Sequence, residues 1–87
     1  MAIENRYDII TRINEYYGKM SKGQKAISAF IYDHYDQAVF MTAAKLGDTV
    51  GVSESTVVRY AMFIGYNGYP EFQRDLEYWV QNKINSV

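Results

Sequence analysis

The stretch Ser53-Glu54-Ser55-Thr56-Val57-Val58-Arg59 concentrates the side chains best suited to directional hydrogen bonding. A guanidinium can donate two parallel bonds to guanine, a carboxylate can accept from a cytosine amine, and an aliphatic group can touch a thymine methyl. Such reading requires the groups to share one exposed face. The other stretch that could do chemistry surrounds the single histidine, His34, with Asp33 and Asp36 beside it. A metal site would need ligands three or four apart on a helix, whereas neighbours one and two apart diverge. His34 is therefore placed near a helix C-terminus, where a cation is favoured. There is no glycine-rich phosphate loop, no paired catalytic carboxylate and no base within sequence reach of Ser53. The expectation is a protein without catalysis, metal or cofactor.

The elements that must position Ser53–Arg59 follow from spacing. Ile3, Ile10, Ile13 and Tyr17, with Ile9 and Tyr16 beside them, predict a first helix over about 3–17, stopped by Gly18. Ser21 and Gln24 form the spacing of a capping box and open a second helix. Its inner face is Ala26, Ile27, Phe30, Ile31 and His34 or Tyr35. From Asp36 to Met41 no period is clear, and Val39, Phe40 and Met41 could plug the connection. Thr42 caps a third helix carrying Ala43, Ala44, Leu46 and Val50 and ended by Gly51. Ser53 caps a fourth, ended by Gly65. Pro70 opens a fifth with a stripe of Phe72, Leu76, Trp79, Val80 and Ile84. The fold class is all-α: a five-helix compact domain over 1–87 that contains a helix-turn-helix.

The third and fourth helices are separated only by Gly51, Val52 and Ser53, which is helix-turn-helix spacing. Gly51 can take the positive φ of a tight turn, and Val52 can point into the angle between the helices. Gly47, inside the third helix, costs about 1 kcal/mol relative to alanine. Close crossing of the fourth helix over the third would compensate. A wheel at about 100° per residue turns Val57, Tyr60, Ala61 and Ile64 inward. Ser55, Val58, Arg59 and Met62 face out, with Glu54 at the exposed N-terminal edge and Thr56 intermediate. In a major groove Arg59 would bond guanine, Ser55 a base edge, Val58 a thymine methyl and Glu54 a cytosine amine. Thr42, Ser53, Lys45 and the free N–H groups of both helix starts suit phosphates.

Composition bounds these readings. The chain has 87 residues, of which 48% are hydrophobic and 16% aromatic. At this length roughly 64% of the unfolded surface is buried, enough for one core. The lack of cysteine excludes a disulfide scaffold and a cysteine zinc site. No apolar run reaches the eighteen or so residues of a membrane span, and the N-terminus lacks a signal pattern, so a cytoplasmic protein without membrane contact is expected. Nine Lys and Arg against ten Asp and Glu give a net charge of -1. Overall charge thus supplies no argument for nucleic acid.

The paired signal Val-Ser-x-Ser-Thr-Val-x-Arg from Val52, then Gly-Tyr-x-Gly-Tyr-x-x-Phe from Gly65, resembles the N-terminal helix-turn-helix domain of the RpiR family of bacterial transcription regulators. The resemblance covers nearly the whole chain. It implies a regulator of sugar or amino-sugar metabolism genes that binds double-stranded operator DNA as a homodimer. It also implies a C-terminal sugar isomerase-like domain that senses a phosphosugar effector. That domain is absent from this chain, which ends at Val87 where the family's linker would begin. The family's recognition helix maps onto Glu54 to Ile64, and Ser53, Ser55, Thr56 and Arg59 match recurrent positions. Glu54 and Val58 fall at variable positions, where operator preference could reside. Gly47 departs from the more usual alanine. With a net charge of -1, affinity would come from dimerisation and from local clustering of Lys22, Lys25, Lys45 and Arg59.

The alternative is a protein interaction or dimerisation module without direct DNA contact, presenting Tyr69, Tyr78, Trp79 and the Tyr16–Tyr17 pair as an aromatic patch. The two readings combine if a contact through the first or last helix pairs two reading heads. Half-sites would then lie roughly 34–36 Å apart.

Overall fold

The computed structural model describes residues 8–85. Among these it places five α-helices: α1 (Ile9–Tyr16), α2 (Lys22–Ala38), α3 (Ala43–Val50), α4 (Glu54–Phe63) and α5 (Tyr69–Asn85). None is long and apolar enough to cross a membrane.

α1 starts later than its spacing predicts. Asp8 is extended and its carboxylate accepts from the Thr11 N–H at 2.8 Å, which caps the helix at Ile9. Ile3 lies outside the described residues. Ile9 and Ile13 are fully buried and Ile10 half-buried, but Tyr17 is 41% exposed. The chain tightens at Tyr17–Lys19 into a 3-10 turn. Its wider angular step per residue carries Tyr17 off the line of Ile13.

α2 begins at the expected capping box, with Ser21 Oγ accepting from Gln24 N at 3.2 Å and Gln24 Oε1 accepting from Ser21 N at 2.9 Å. Ile27 and Ile31 enter the core, while Ala26 and Phe30 are half-buried. The helix kinks at His34 (φ -141°, ψ 42°), which leaves His34 exposed beside the Phe30 ring at 5.0 Å. Tyr35 is the half-buried member of that pair, edge-on to Trp79 at 5.2 Å.

The connection to α3 divides its three apolar residues. Val39 is buried and Met41 half-buried, but Phe40 is 85% exposed and plugs nothing. The Val39 carbonyl accepts from Gln73 Nε2 at 2.9 Å, and the Met41 carbonyl accepts from Tyr69 Oη at 2.7 Å. With both flanking carbonyls drawn toward α5, the intervening side chain points away. α5 opens at Tyr69 with Pro70 second, where a missing N–H is still tolerated because the first four have no helical acceptor. Phe72, Leu76 and Val80 form its buried stripe, with Trp79 half-buried. The side chain of Ile84 lies outside the described residues. Phe72 lies edge-on to Tyr60 at 6.0 Å and Tyr66 at 5.9 Å, joining α4 to α5.

Candidate nucleic-acid interface

The turn between α3 and α4 is built around two glycines. Gly51 takes φ +86°, so that its own N–H and that of Val52 both reach the Gly47 carbonyl, at 2.8 and 2.9 Å. Gly47 is buried, and a Cβ there would lie 2.7 Å from the Val52 carbonyl oxygen and 3.2 Å from the Ser53 carbonyl. The close approach expected of Gly47 is therefore made by the backbone of the turn, rather than by the side chains of α4. Val52 is half-buried and packs toward α2, where a Cβ on Gly23 would meet its Cγ1 at 3.3 Å and Thr56 Cγ2 at 3.9 Å. Gly23 lets the start of α2, with the exposed Lys22, lie beside the start of α4.

α4 buries Val57, Tyr60 and Ala61 completely, and Ile64 just past its end is buried with them. Its opposite side carries Glu54, Ser55 and Arg59 exposed and Val58 half-buried, and these four line one shallow depression. Met62 continues that side, 54% exposed. Ser53 and Thr56 serve the helix start: Ser53 Oγ accepts from Thr56 N at 3.1 Å and lies 2.9 Å from Thr56 Oγ1 and 3.3 Å from Ser55 Oγ. Three hydroxyls thus gather at the start of α4. Thr42 and Lys45 stand apart from this depression, exposed at the start of α3, where Thr42 Oγ1 accepts from Lys45 N at 3.1 Å. Among the described residues no three potential metal ligands converge.

The profile of the helix-turn-helix domain of the rpiR family matches residues 7–83. The chain belongs to that family. Its DNA-binding character follows from the family's helix-turn-helix domain. The rpiR-family domain is 26% identical over 68 residues to a helix-turn-helix-type transcriptional regulator of Clostridium perfringens, covering 78% of this chain and 24% of that protein. It is 35% identical over 52 residues to one from Providencia stuartii, 60% of this chain and 18% of the relative. A third, YfhH of Escherichia coli, shares 30% over 61 residues, 70% of this chain and 22% of its own length. The chain thus spans about a quarter or less of these curated relatives. No solved structure matches it significantly.

Three supports of the helix-turn-helix escape sequence reasoning. Tyr60 Oη and Ser28 Oγ, both fully buried, meet at 2.9 Å and join α4 to α2, while Ser28 also donates to Met20 Sδ at 3.2 Å. Burial pushes the Tyr60 phenol far above its ordinary pKa, so it stays a neutral donor. Arg12 of α1 reaches the far end of α4, donating to the Ile64 carbonyl at 3.2 Å with its guanidinium 4.6 Å from the Tyr66 ring centre. Its Nε is buried without a hydrogen-bond partner among the described residues. The third is Gly23, whose missing side chain admits the turn. None has a local signature, since each pairs residues distant in the chain.

Proposed function

We propose that α4 is the recognition helix of an operator-binding regulator, laid in the major groove with its N-terminal end toward the bases. The observation that carries this reading is the bare outer side of α4, where Ser55, Val58 and Arg59 stand opposite a fully buried side. In this reading Arg59 donates two hydrogen bonds to guanine, Ser55 bonds a base edge, Val58 touches a thymine methyl and Glu54 accepts from a cytosine amine. Ser53, Thr42, Lys45 and the free N–H groups at the starts of α3 and α4 hold phosphates. Thr56, whose hydroxyl is engaged with Ser53, orders the helix start for that contact. Two copies read half-sites roughly 34–36 Å apart as a homodimer. By family likeness the genes controlled belong to sugar or amino-sugar metabolism, and a phosphosugar effector acts on a sugar isomerase-like domain beyond this chain.

Selection of bound duplexes from a random pool supplies the operator for the test. Affinity for the selected duplex is expected to fall roughly 100-fold between about 50 and about 200 mM salt if four phosphates are neutralised. Arg59→Ala should weaken that duplex by about 1–3 kcal/mol and relax preference at one base pair. Lys45→Ala should weaken all sequences alike. If Arg59→Ala keeps wild-type affinity and selectivity, α4 is not the reading element.

A further inference from the structure

Among the described residues, Ser28 of α2 is the one fully buried side chain that is polar and not aromatic. Its Oγ donates to Met20 Sδ at 3.2 Å and lies 2.9 Å from Tyr60 Oη of α4. A serine hydroxyl carries a single proton. With that proton on Met20, the Tyr60 phenol is the donor of the pair, and its ring stands edge-on to Phe72 of α5 at 6.0 Å. α2 and α4 also approach where Gly23 admits Val52 and Thr56. That approach is van der Waals contact, so among the described residues Ser28–Tyr60 is the directional link between the two helices.

Apolar burial is non-directional, and it keeps Val57 and Ala61 inside over a range of turns of α4 about its axis. A hydrogen bond weakens steeply once its angle falls below about 120°, and so selects one turn from that range. The two ways of holding DNA differ in the same respect. Reading a base requires side chains held within about 0.5 Å and 10–20° of the productive geometry. Contacts to phosphate carry no sequence information, and they tolerate a small turn of the helix. Ser55, Val58 and Arg59 share a rigid backbone with Tyr60, so whatever turns the phenol turns them.

We propose that Ser28 and Tyr60 are positioning residues for base discrimination: their hydrogen bond fixes the turn of α4 about its axis, and with it the aim of Ser55, Val58 and Arg59. The apolar packing around the pair carries the folding. This assignment rests on α4 being the recognition helix and adds what aims it.

The test compares the 87-residue chain with a Ser28→Ala/Tyr60→Phe double variant. Removing both hydroxyls leaves neither unpaired, a replacement that can be nearly neutral for stability. Each protein is titrated, well below its melting temperature, with the selected duplex and with a scrambled duplex of the same length and composition. The double variant is expected to melt close to wild type and to bind the scrambled duplex as wild type does. The ratio of the two affinities should fall about tenfold, the order of discrimination supplied by one good base contact. Tyr60→Phe alone, which keeps the ring against Phe72, should shift the ratio in the same direction, and it decides the question if the double variant does not fold. A pair that only holds the fold together would lower both affinities alike or leave both unchanged, and either result overturns the proposal. Arg59→Ala measured alongside keeps the two claims apart. An Arg59→Ala chain with wild-type selectivity overturns the α4 reading, whereas selectivity lost in Arg59→Ala but kept in the double variant overturns the aiming role alone.

Discussion

At its leading end α4 leaves Ser53, Glu54 and Ser55 in solvent and is held by its own Ser53 cap and by the approach of Val52 and Thr56 to Gly23 of α2, whereas at its trailing end it is gripped by both α1 and α5. There Gly65, at φ +105°, lets Gly65 N reach the Met62 carbonyl and Tyr66 N the Ala61 carbonyl, both at 3.0 Å. Arg12 closes over the Ile64 carbonyl, placing a cation at the negative end of the helix dipole. Tyr66 donates to Asp75 on α5, and Phe63 meets Tyr16 of α1 at 5.5 Å. The difference teaches how a ten-residue helix can be anchored and still present a bare tip. Its tertiary support comes from α2, α3 and α5 along its buried side and from Arg12 of α1 at its trailing end, which leaves Glu54, Ser55 and Arg59 in solvent.

The contrast breaks most severely at the turn that launches the leading end. Gly47→Leu puts a side chain against the Val52 and Ser53 backbone, which cannot move without displacing the start of α4. A loss of about 3 kcal/mol is expected, seen as a fall of well over about 10 °C in Tm for a domain of this size. Gly51→Leu, where a side chain meets open space but φ is positive, should cost less.

High pH attacks the other end. Burial pushes Tyr69 up to about 12, and Tyr60 and Tyr66 are raised in the same direction, Tyr66 also by its bond to Asp75. Between the ordinary phenol pKa near 10 and the raised folded values, the unfolded chain releases protons that the folded chain keeps, so stability falls as pH rises. Urea unfolding at stepped pH should show full stability below about pH 10 and progressive loss toward about pH 12. A flat profile across that window would contradict the buried phenols.

Two smaller effects sharpen the comparison. Arg12→Met should cost about 1–2 kcal/mol by freeing the Ile64 carbonyl. Amide hydrogen exchange should then rise first around residues 61–66. Ser53→Ala should cost about 1 kcal/mol, with faster exchange confined to the first turn of α4. Equal loosening of both ends by either variant would show that the two are not independently held.

Where local chemistry decides a boundary, it was legible. Ser21, Thr42 and Ser53 each cap the helix expected of them, because a cap involves residues only three apart. The inward and outward sides of α4 followed from its periodicity alone, and so did the exposure of Ser55 and Arg59. The readings that differed lay where neighbours in space, rather than in sequence, set the outcome. Phe40 looked like a plug until α5 drew the carbonyls around it inward. Tyr17 left its expected line because the chain tightened into a 3-10 turn.

The amino-acid order by itself determined five amphipathic segments, the capped starts of α2, α3 and α4, the glycine turn and which side of α4 is polar, since all of these depend on interactions within one or two helical turns. Only the tertiary structure decided that Ser28 meets Tyr60, that Arg12 holds the end of α4 and that Gly23 admits the turn. These contacts join residues 29 to 52 positions apart. No spacing rule reaches that far, because such pairs meet only when every intervening helix has packed.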